Sequence, residues 1–373
     1  MKYIGNKFRL LPFIDRIINE EKLPSKGIFC DIFTGTTSVA QFYKKKGYKL
    51  ITCDIMYYSY VFQYAYIKIN YYPLFSKLLH NEKEIMEMYI KKRIQFPSLI
   101  KENENKENLQ AVLNFLNNLP GEEGFIYLNY APTGSSSSKY QRQFFCDENA
   151  KKIDAIRNRI QFWKENKWIT EEEFFILLAS LIDAADFVAN ISGTYGAFLK
   201  IWRPMALKSL NLLLPNLIDS KLNHEIYLED ANKLIRNIKC NILYLDPPYN
   251  TRQYAANFHI LETIAKWDNP KIYGKTGLRP YDGQKSDYNI KGKCEEKFID
   301  LIKNADCEYI LMSYNNEGII REKVIKEVLS EKGDLKVFTQ HYRRFRTDSE
   351  SENRHFKVPN DTVIEKIYLV KSK

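Results

Sequence analysis

Residues 239–250 read KCNILYLDPPYN, and this stretch decides the fold class. Ile242, Leu243, Tyr244 and Leu245 form a short apolar run of strand type, and Asp246 ends it. Pro247 and Pro248 then fix the backbone and remove two N–H donors, so the strand stops at the acid. In a doubly wound α/β sheet ligands bind at the carboxyl ends of the strands, which is where Asp246 falls.

Working outward, the same grammar recurs on both sides. GIFCDIF (27–33) predicts a strand, TGTTS (34–38) a glycine-containing turn and VAQFYKKKG (39–47) a helix. YKLITCD (48–54) predicts a second strand ending in an acid, and YYSYVFQYAYIKIN (57–70) a helix. HEIYLED (224–230) and ANKLIRNIK (231–239) precede the opening stretch as strand and helix. YAANFHILETIAKW (254–267) follows it as a helix, and YGKTGLRPYDGQKSDYNIKGK (273–293) as a long loop, a class that usually carries function or is disordered. CEYILMSY (307–314), GIIREKVIKEVLSEKG (318–333), DLKVFTQHY (334–342) and TVIEKIYLVK (362–371) predict strand, helix and a closing antiparallel pair. Strands alternating with helices indicate an α/β domain with a mostly parallel sheet.

Between residues 71 and 220 the alternation is absent. KENENKENLQAVLNFLNN (101–118), KKIDAIRNRIQFWKEN (151–166) and EEEFFILLASLIDAADFVAN (171–190) have helical periodicity, and GSSSSKYQRQ (134–143) has the composition of a mobile loop. The expected organisation is a catalytic domain of residues 1–70 and 221–373 with a mainly helical insertion, 71–220.

Composition narrows the function classes. Hydrophobic residues make up 45%, ordinary for a globular protein, and neither a membrane-length apolar run nor a signal-peptide pattern occurs. A cytoplasmic location is expected, with no membrane partner. The six cysteines and five histidines are dispersed without zinc-ligand spacing, so no metal is expected, and thiols within apolar runs predict packing. Lysine and arginine number 56 against 46 acids, a net +10 that favours a polyanion, although total charge without clustering is only supporting.

The chemistry of the corner follows from its residue types. The Asp246 carboxylate and the Pro247 carbonyl are acceptors, Pro248 holds the turn, and Tyr249 offers an aromatic face. Acceptors beside a stacking ring suit a planar ring with an exocyclic NH₂ group. Such an arrangement leaves the amino nitrogen's lone pair free for in-line attack on a methyl group, with positioning and exclusion of water as the main contributions. Adenine and cytosine amino groups satisfy this geometry equally.

DPPY in this place resembles the Dam-like D12 class of adenine-N6 DNA methyltransferases. KYIGNK (2–7) is similar to the family's opening motif and DIFTGTTSVA (31–40) to its D-x-F-x-G cofactor motif. AADFVANISGTYGAFLK (184–200) and DPPYNTRQYAANFHILETIAKWDNP (246–270) resemble methyltransferases of type II restriction systems. The motif order is similar to the α-group permutation. The resemblance implies the Rossmann-like methyltransferase fold with a mixed, mostly parallel seven-stranded sheet, S-adenosyl-L-methionine as cofactor, and transfer to N6 of a flipped-out adenine in duplex DNA. A separately acting cognate endonuclease is a further implied partner. The choice of adenine over cytosine rests on this resemblance.

Cofactor-binding candidates are Asp31, Phe33 and Gly35 on the first strand-to-helix turn, where a small residue permits close backbone approach and Asp31 can hold an ammonium group. Asp54 ends the second strand, positioned for ribose hydroxyls. Tyr3 and Lys7 match the opening motif, whose family role is at the methionine end. Asp230 is placed to contact the cofactor adenine and equally to cap the following helix, and Asp246 adjoins the cofactor. Asp183 and Asp186 could imitate a paired-carboxylate site, yet a polar helix edge explains them better. Candidate DNA contacts are Lys139, Tyr140 and Arg142 after the serine run, Arg252 and Tyr254 after DPPY, and the Tyr342, Arg343, Arg344, Arg346 patch; each reads equally as solvated surface. Rival functions are an RNA adenine or DNA cytosine-N4 methyltransferase, and a non-catalytic nucleic-acid-binding module.

Overall fold

A computed structural model describes residues 7–85, 87, 104–343 and 362–373. Contacts divide the chain into two compact units. One comprises the described part up to Gln63, Ser220–Asn257 and Tyr281–Lys373; the other comprises Tyr64–Asp219 and Phe258–Pro280.

The first unit is built on a seven-stranded sheet. Its strands are β1 (Ile28–Asp31), β2 (Lys49–Asp54), β3 (Glu225–Leu228), β4 (Lys239–Leu245), β5 (Asp306–Asn315), β6 (Gly333–Arg343) and β7 (Thr362–Ser372), in the order β3-β2-β1-β4-β5-β7-β6. β7 is antiparallel to both its neighbours, and the pairings among β1 to β5 are parallel. This is the mixed, mostly parallel sheet expected from the sequence. Both faces of the central strands are buried, as parallel sheets require. Cys30, Leu243 and Leu245 face helices Cys294–Asn304 and Glu322–Lys332, in a core that includes Phe298, Leu301, Ile325 and Leu329. On the opposite face Phe29 stacks on Tyr43 of helix Ser38–Lys45 at 4.1 Å between centroids, and lies 6.1 Å from Tyr244.

The order of strands reverses between β1 and β4, the topological switch point at which an open α/β sheet opens a crevice. Asp31 pairs with Tyr244 across these strands, so Asp246, two residues further on, lies beside Asp31 at the carboxyl edge. Asp54 ends β2, and Asp230 follows β3 by two residues. Four acids thus share one edge of the sheet. Five of the six cysteines are buried and all six are free thiols, as packing predicts.

The second unit is mainly helical, with Glu104–Asn118, Asp147–Glu165 and Glu171–Phe187 as its longest helices. The last begins in a reciprocal cap: Thr170 Oγ accepts from the Glu173 amide, and Glu173 Oε2 accepts from the Thr170 amide at 2.8 Å. The helix expected over 254–267 is broken at Phe258 (φ −124°, ψ 26°) into Tyr254–Asn257 and His259–Lys266. The division between the units falls at that break, so residues 258–280 pack with the helical unit. Among the described residues no helix is long and apolar enough to cross a membrane.

Candidate active site

The turn after β1 is fixed by its own sequence. Thr34 Oγ1 donates to the Asp31 carbonyl at 2.6 Å and the Thr34 amide donates to the Cys53 carbonyl at 3.1 Å, which ties the end of β1 to β2. Gly35 has φ +53°, a left-handed conformation that a side chain would strain. That conformation aims its amide at Asp54 Oδ2, 2.9 Å away, while the Met56 amide donates to Asp54 Oδ1 at 2.9 Å. Asp54 is therefore locked in orientation by two backbone donors.

Asp31, Phe33, Gly35, Asp54, Asp230 and Asp246 converge on adjoining cavities. The larger is a cleft of about 750 Å³, part of it open to solvent, with Asp54, Glu229 and Asp230 among its polar groups and Ile32, Phe33, Ile55, Met56, Pro248 and Tyr288 among its apolar ones. The smaller is lined by Lys7, Asp31, Thr34, Thr36, Ser38 and Asp246 among others. Asp31 is 2% exposed, and its Oδ1 has no hydrogen-bond partner among the described residues. Burial, then the neighbouring Asp246, raise its carboxyl well above the usual carboxylate range. An orphaned, buried carboxylate oxygen is costly unless a ligand completes it, and a cation would do so. A ligand with a cationic end at Asp31 and a flat, partly apolar end beside Phe33 and Tyr288 fits these walls.

Asp230 caps helix Ala231–Leu234, accepting from the amides of Asn232 at 3.0 Å and Lys233 at 3.3 Å. The cap reading holds, and the same side chain lines the cleft, so the two readings are compatible. Tyr254, a candidate DNA contact, lines the cleft with Asp54 and Asp246.

The 246–249 corner is held by a connected set of side-chain bonds. Tyr249 Oη donates to Asp246 Oδ1 at 2.6 Å; Lys7 Nζ donates to Tyr249 Oη and lies 3.3 Å from Asp246 Oδ1. The Lys7 ammonium also sits over the Tyr249 ring, 4.3 Å from its centroid, and Tyr314 meets that ring edge-on at 4.9 Å. Burial raises the Asp246 carboxyl above its ordinary value, opposed by Lys7 and by the Tyr249 hydroxyl. The corner's backbone is clamped by the Ile319 amide on the Tyr249 carbonyl at 3.2 Å and by Asn289 Nδ2 on the carbonyls of Asn250 and Arg252. Among the described residues nothing hydrogen-bonds to the Pro247 carbonyl, which leaves it available as an acceptor.

Across both cavities the donors and acceptors suit a small, polar, partly aromatic ligand meeting a planar amino group at Asp246. The amino-acid sequence matches the family of D12 class N6 adenine-specific DNA methyltransferases over residues 3–328. The chain belongs to that family. It is 39% identical over 361 residues to the type II methyltransferase M.NlaIII of Neisseria lactamica, covering 96% of each chain. It is 35% identical to the modification methylase StsI of Streptococcus sanguinis over 95% of its own length, and 38% identical to the type II methyltransferase M.FokI of Planomicrobium okeanokoites over 94%. It spans about half the length of those two relatives, 50% of each. No solved structure matches it.

Several expectations change. Arg142 is not a phosphate contact: it is buried, and Nε, Nη1 and Nη2 donate to the carbonyls of Lys275, Asn129 and Gly274 at 3.1, 3.2 and 3.0 Å. Five N–H groups on a planar fork suit convergent carbonyls, and here the guanidinium crosslinks two backbone segments. The serine run is bound in the same way, with Ser135 Oγ donating to the Ala131 carbonyl at 2.6 Å and accepting from the Arg142 amide at 2.8 Å. Asp183 and Asp186 accept from the hydroxyls of Tyr66 at 2.7 Å and Tyr195 at 3.3 Å. Lys139 and Arg252 are exposed, and Tyr140 is half-buried beneath the Lys139 ammonium. Arg343 ends β6, and Tyr3, Arg344 and Arg346 lie outside the described residues.

Sequence reasoning marked 273–293 as a long loop but named none of residues 281–290 in the site. Gln253 and Ser286 exchange a reciprocal pair of bonds, Gln253 Nε2 to the Ser286 carbonyl at 3.0 Å and the Ser286 amide to Gln253 Oε1 at 2.8 Å. The pair fixes one wall of the cleft, where Tyr288 meets Phe33 edge-on at 5.1 Å. Glu365 was missed as well; it is buried, and its Oε2 lies 4.0 Å from Lys7 Nζ.

Proposed function

We propose that this family member transfers a methyl group from S-adenosyl-L-methionine to N6 of an adenine extruded from duplex DNA, as the modification enzyme of a type II restriction-modification system. One observation carries the reading: the Asp246–Tyr249 corner lies beside the buried, partnerless Asp31 oxygen on one edge of the sheet. When bound, the cofactor supplies a methyl group made electrophilic by its sulfonium.

The remaining roles belong to the chain. Asp31 receives the cofactor's ammonium, with Lys7 at the edge of the same small cavity. Asp54, held by the Gly35 and Met56 amides, accepts from the ribose hydroxyls, while Phe33 and Asp230 border the adenine ring. Asp246 and the Pro247 carbonyl hold the two hydrogens of the substrate's amino group, and Pro248 keeps the turn rigid. Tyr249 supplies the aromatic wall against which the base is placed. The reacting nitrogen stays neutral until bond formation, so positioning and exclusion of water supply the main acceleration. Lys139, Tyr140, Arg252 and Arg343 are candidates for phosphate contact, and a cognate endonuclease is the expected functional partner.

Methyl transfer from labelled cofactor to duplex DNA and to RNA, measured side by side, tests this reading. Label in DNA supports it; label confined to RNA contradicts it.

A further inference from the structure

Glu365 is the one acid on an otherwise apolar strand face. Val363, Glu365, Ile367 and Leu369 alternate along β7 and are all buried, so the carboxylate enters the interior on the same side as three hydrophobic groups. An inward acid in a core strand costs stability unless it is paired. Yet Glu365 Oε2 accepts no hydrogen bond among the described residues, and the cation nearest it, Lys7 Nζ, stands 4.0 Å away. The same ammonium is closer to Asp246 Oδ1, at 3.3 Å.

Lys7 therefore sits between the partly buried Asp246 carboxylate and the buried Glu365 carboxylate, bonded towards the first and facing a vacant acceptor on the second. The oxygen it holds, Asp246 Oδ1, also takes the Tyr249 hydroxyl. A substrate amino group arriving at Asp246 competes with both donors. A displacement of roughly 1 Å would carry the ammonium from the 4.0 Å separation to ordinary hydrogen-bond range of Glu365.

We propose that Glu365 is a positioning residue: it takes over the Lys7 ammonium as Asp246 engages the substrate's amino group, so that Asp246 meets its substrate with an uncommitted carboxylate. This rests on the catalytic role assigned to Asp246 above. The groups around Asp246 are Lys7 ahead of helix Leu11–Glu20, Asp31 from β1, Tyr244 and Tyr249 from β4 and its turn, Tyr254 from helix Tyr254–Asn257, Tyr314 from β5 and Glu365 from β7. With Glu365 neutralised, Asp246 is the one acid among the described residues left to pair with Lys7, and one negative charge is gone. Both changes lower the Asp246 pKa.

Glu365→Gln tests this in two ways. The Asp246 carboxyl, followed by ¹³C resonance in protein without substrate and assigned with Asp246→Asn, should titrate about one pH unit lower than in the wild type, the size of shift an unshared neighbouring cation produces. With unmethylated genomic DNA, the acid limb of the pH–kcat profile should move down with it. The plateau of kcat should fall because Lys7 competes with the substrate, and Glu365→Asp should restore part of it. In a Lys7→Met background, Glu365→Gln should lower kcat no further, because the two residues act as one unit. A Glu365→Gln protein with unmoved titration and acid limb overturns the proposal, whatever its kcat. So does an undiminished loss in the Lys7→Met background. If the titration shifts but the wild type transfers no methyl group to DNA, the Lys7–Glu365 coupling stands and the methyltransferase reading fails.

Discussion

Asp154 in the helical unit and Asp31 in the sheet unit are both buried acids, and their surroundings differ in one respect. Asp154 is 0% exposed and accepts from the amides of Gly124, Ile126 and Tyr127 at 3.2, 2.9 and 2.8 Å. Three donors at the start of helix Phe125–Tyr130 hold it, and each oxygen is used. Asp31 is equally hidden, but its Oδ1 meets no donor among the described residues. A carboxylate completed by its own backbone is a structural joint. A carboxylate left incomplete at the switch point of a sheet is what a cationic ligand would complete.

The largest effect is expected at Asp246, the proposed reaction centre. Asp246→Ala should lower methyl transfer by at least about a thousandfold, as loss of a preorganised polar group does. DNA retention in a gel shift should stay close to wild type. Undiminished transfer would remove Asp246 from the chemistry.

At the structural joint, Asp154→Ala strands the buried amides of Ile126 and Tyr127 and the partly buried amide of Gly124. Urea denaturation should show a loss of about 3 kcal/mol or more at neutral pH. Cofactor affinity in the surviving folded protein should be unchanged.

Asp31→Asn should do the reverse. Cofactor affinity by calorimetry should fall about tenfold to a hundredfold, the cost of losing one charge-assisted bond. Stability should not fall, and its pH dependence should flatten. The Asp31 carboxyl is raised in the folded chain, by burial and then by Asp246. The folded state thus keeps that proton to higher pH than the unfolded one, and the contribution is complete only below the unfolded value of about 4. It is lost as pH rises through the folded value, so wild-type stability declines across that window and the Asn variant's declines less. Denaturation midpoints at pH 5 and pH 8 would show it.

The smallest effect is expected from Tyr249→Phe, which keeps the ring and removes one donor from Asp246. The hydroxyl helps hold the Asp246 carboxyl down. Its loss should move the acid limb of kcat to higher pH by less than about one unit, with a change in kcat of a fewfold. A loss as large as that of Asp246→Ala would mean that the hydroxyl, rather than the ring, carries the function of Tyr249.

The sheet was legible because its signals are local. The runs ending in Asp31, Asp54 and Asp246 are short, apolar and stopped by turn residues, and they became β1, β2 and β4 with their acids on one edge. Gly35 was legible for the same reason, since a left-handed turn calls for glycine. The rest depends on distant partners. The serine run has a loop's composition, but carbonyls more than 130 residues away fix Arg142. The 254–267 segment keeps helical periodicity through Phe258, where the backbone leaves the helix and the chain passes between units. Glu365 did leave a local trace, because an acid in phase with Val363, Ile367 and Leu369 breaks the alternation of β7. Its pairing with Lys7 joins opposite ends of the chain, which periodicity cannot see.

The most direct test of the central claim is nucleoside analysis of unmethylated duplex DNA treated with this protein and labelled S-adenosyl-L-methionine, with Asp246→Ala in parallel. N6-methyldeoxyadenosine is expected from the wild type and none from the variant. N4-methyldeoxycytidine, or equal N6-methyladenine from both proteins, would contradict it.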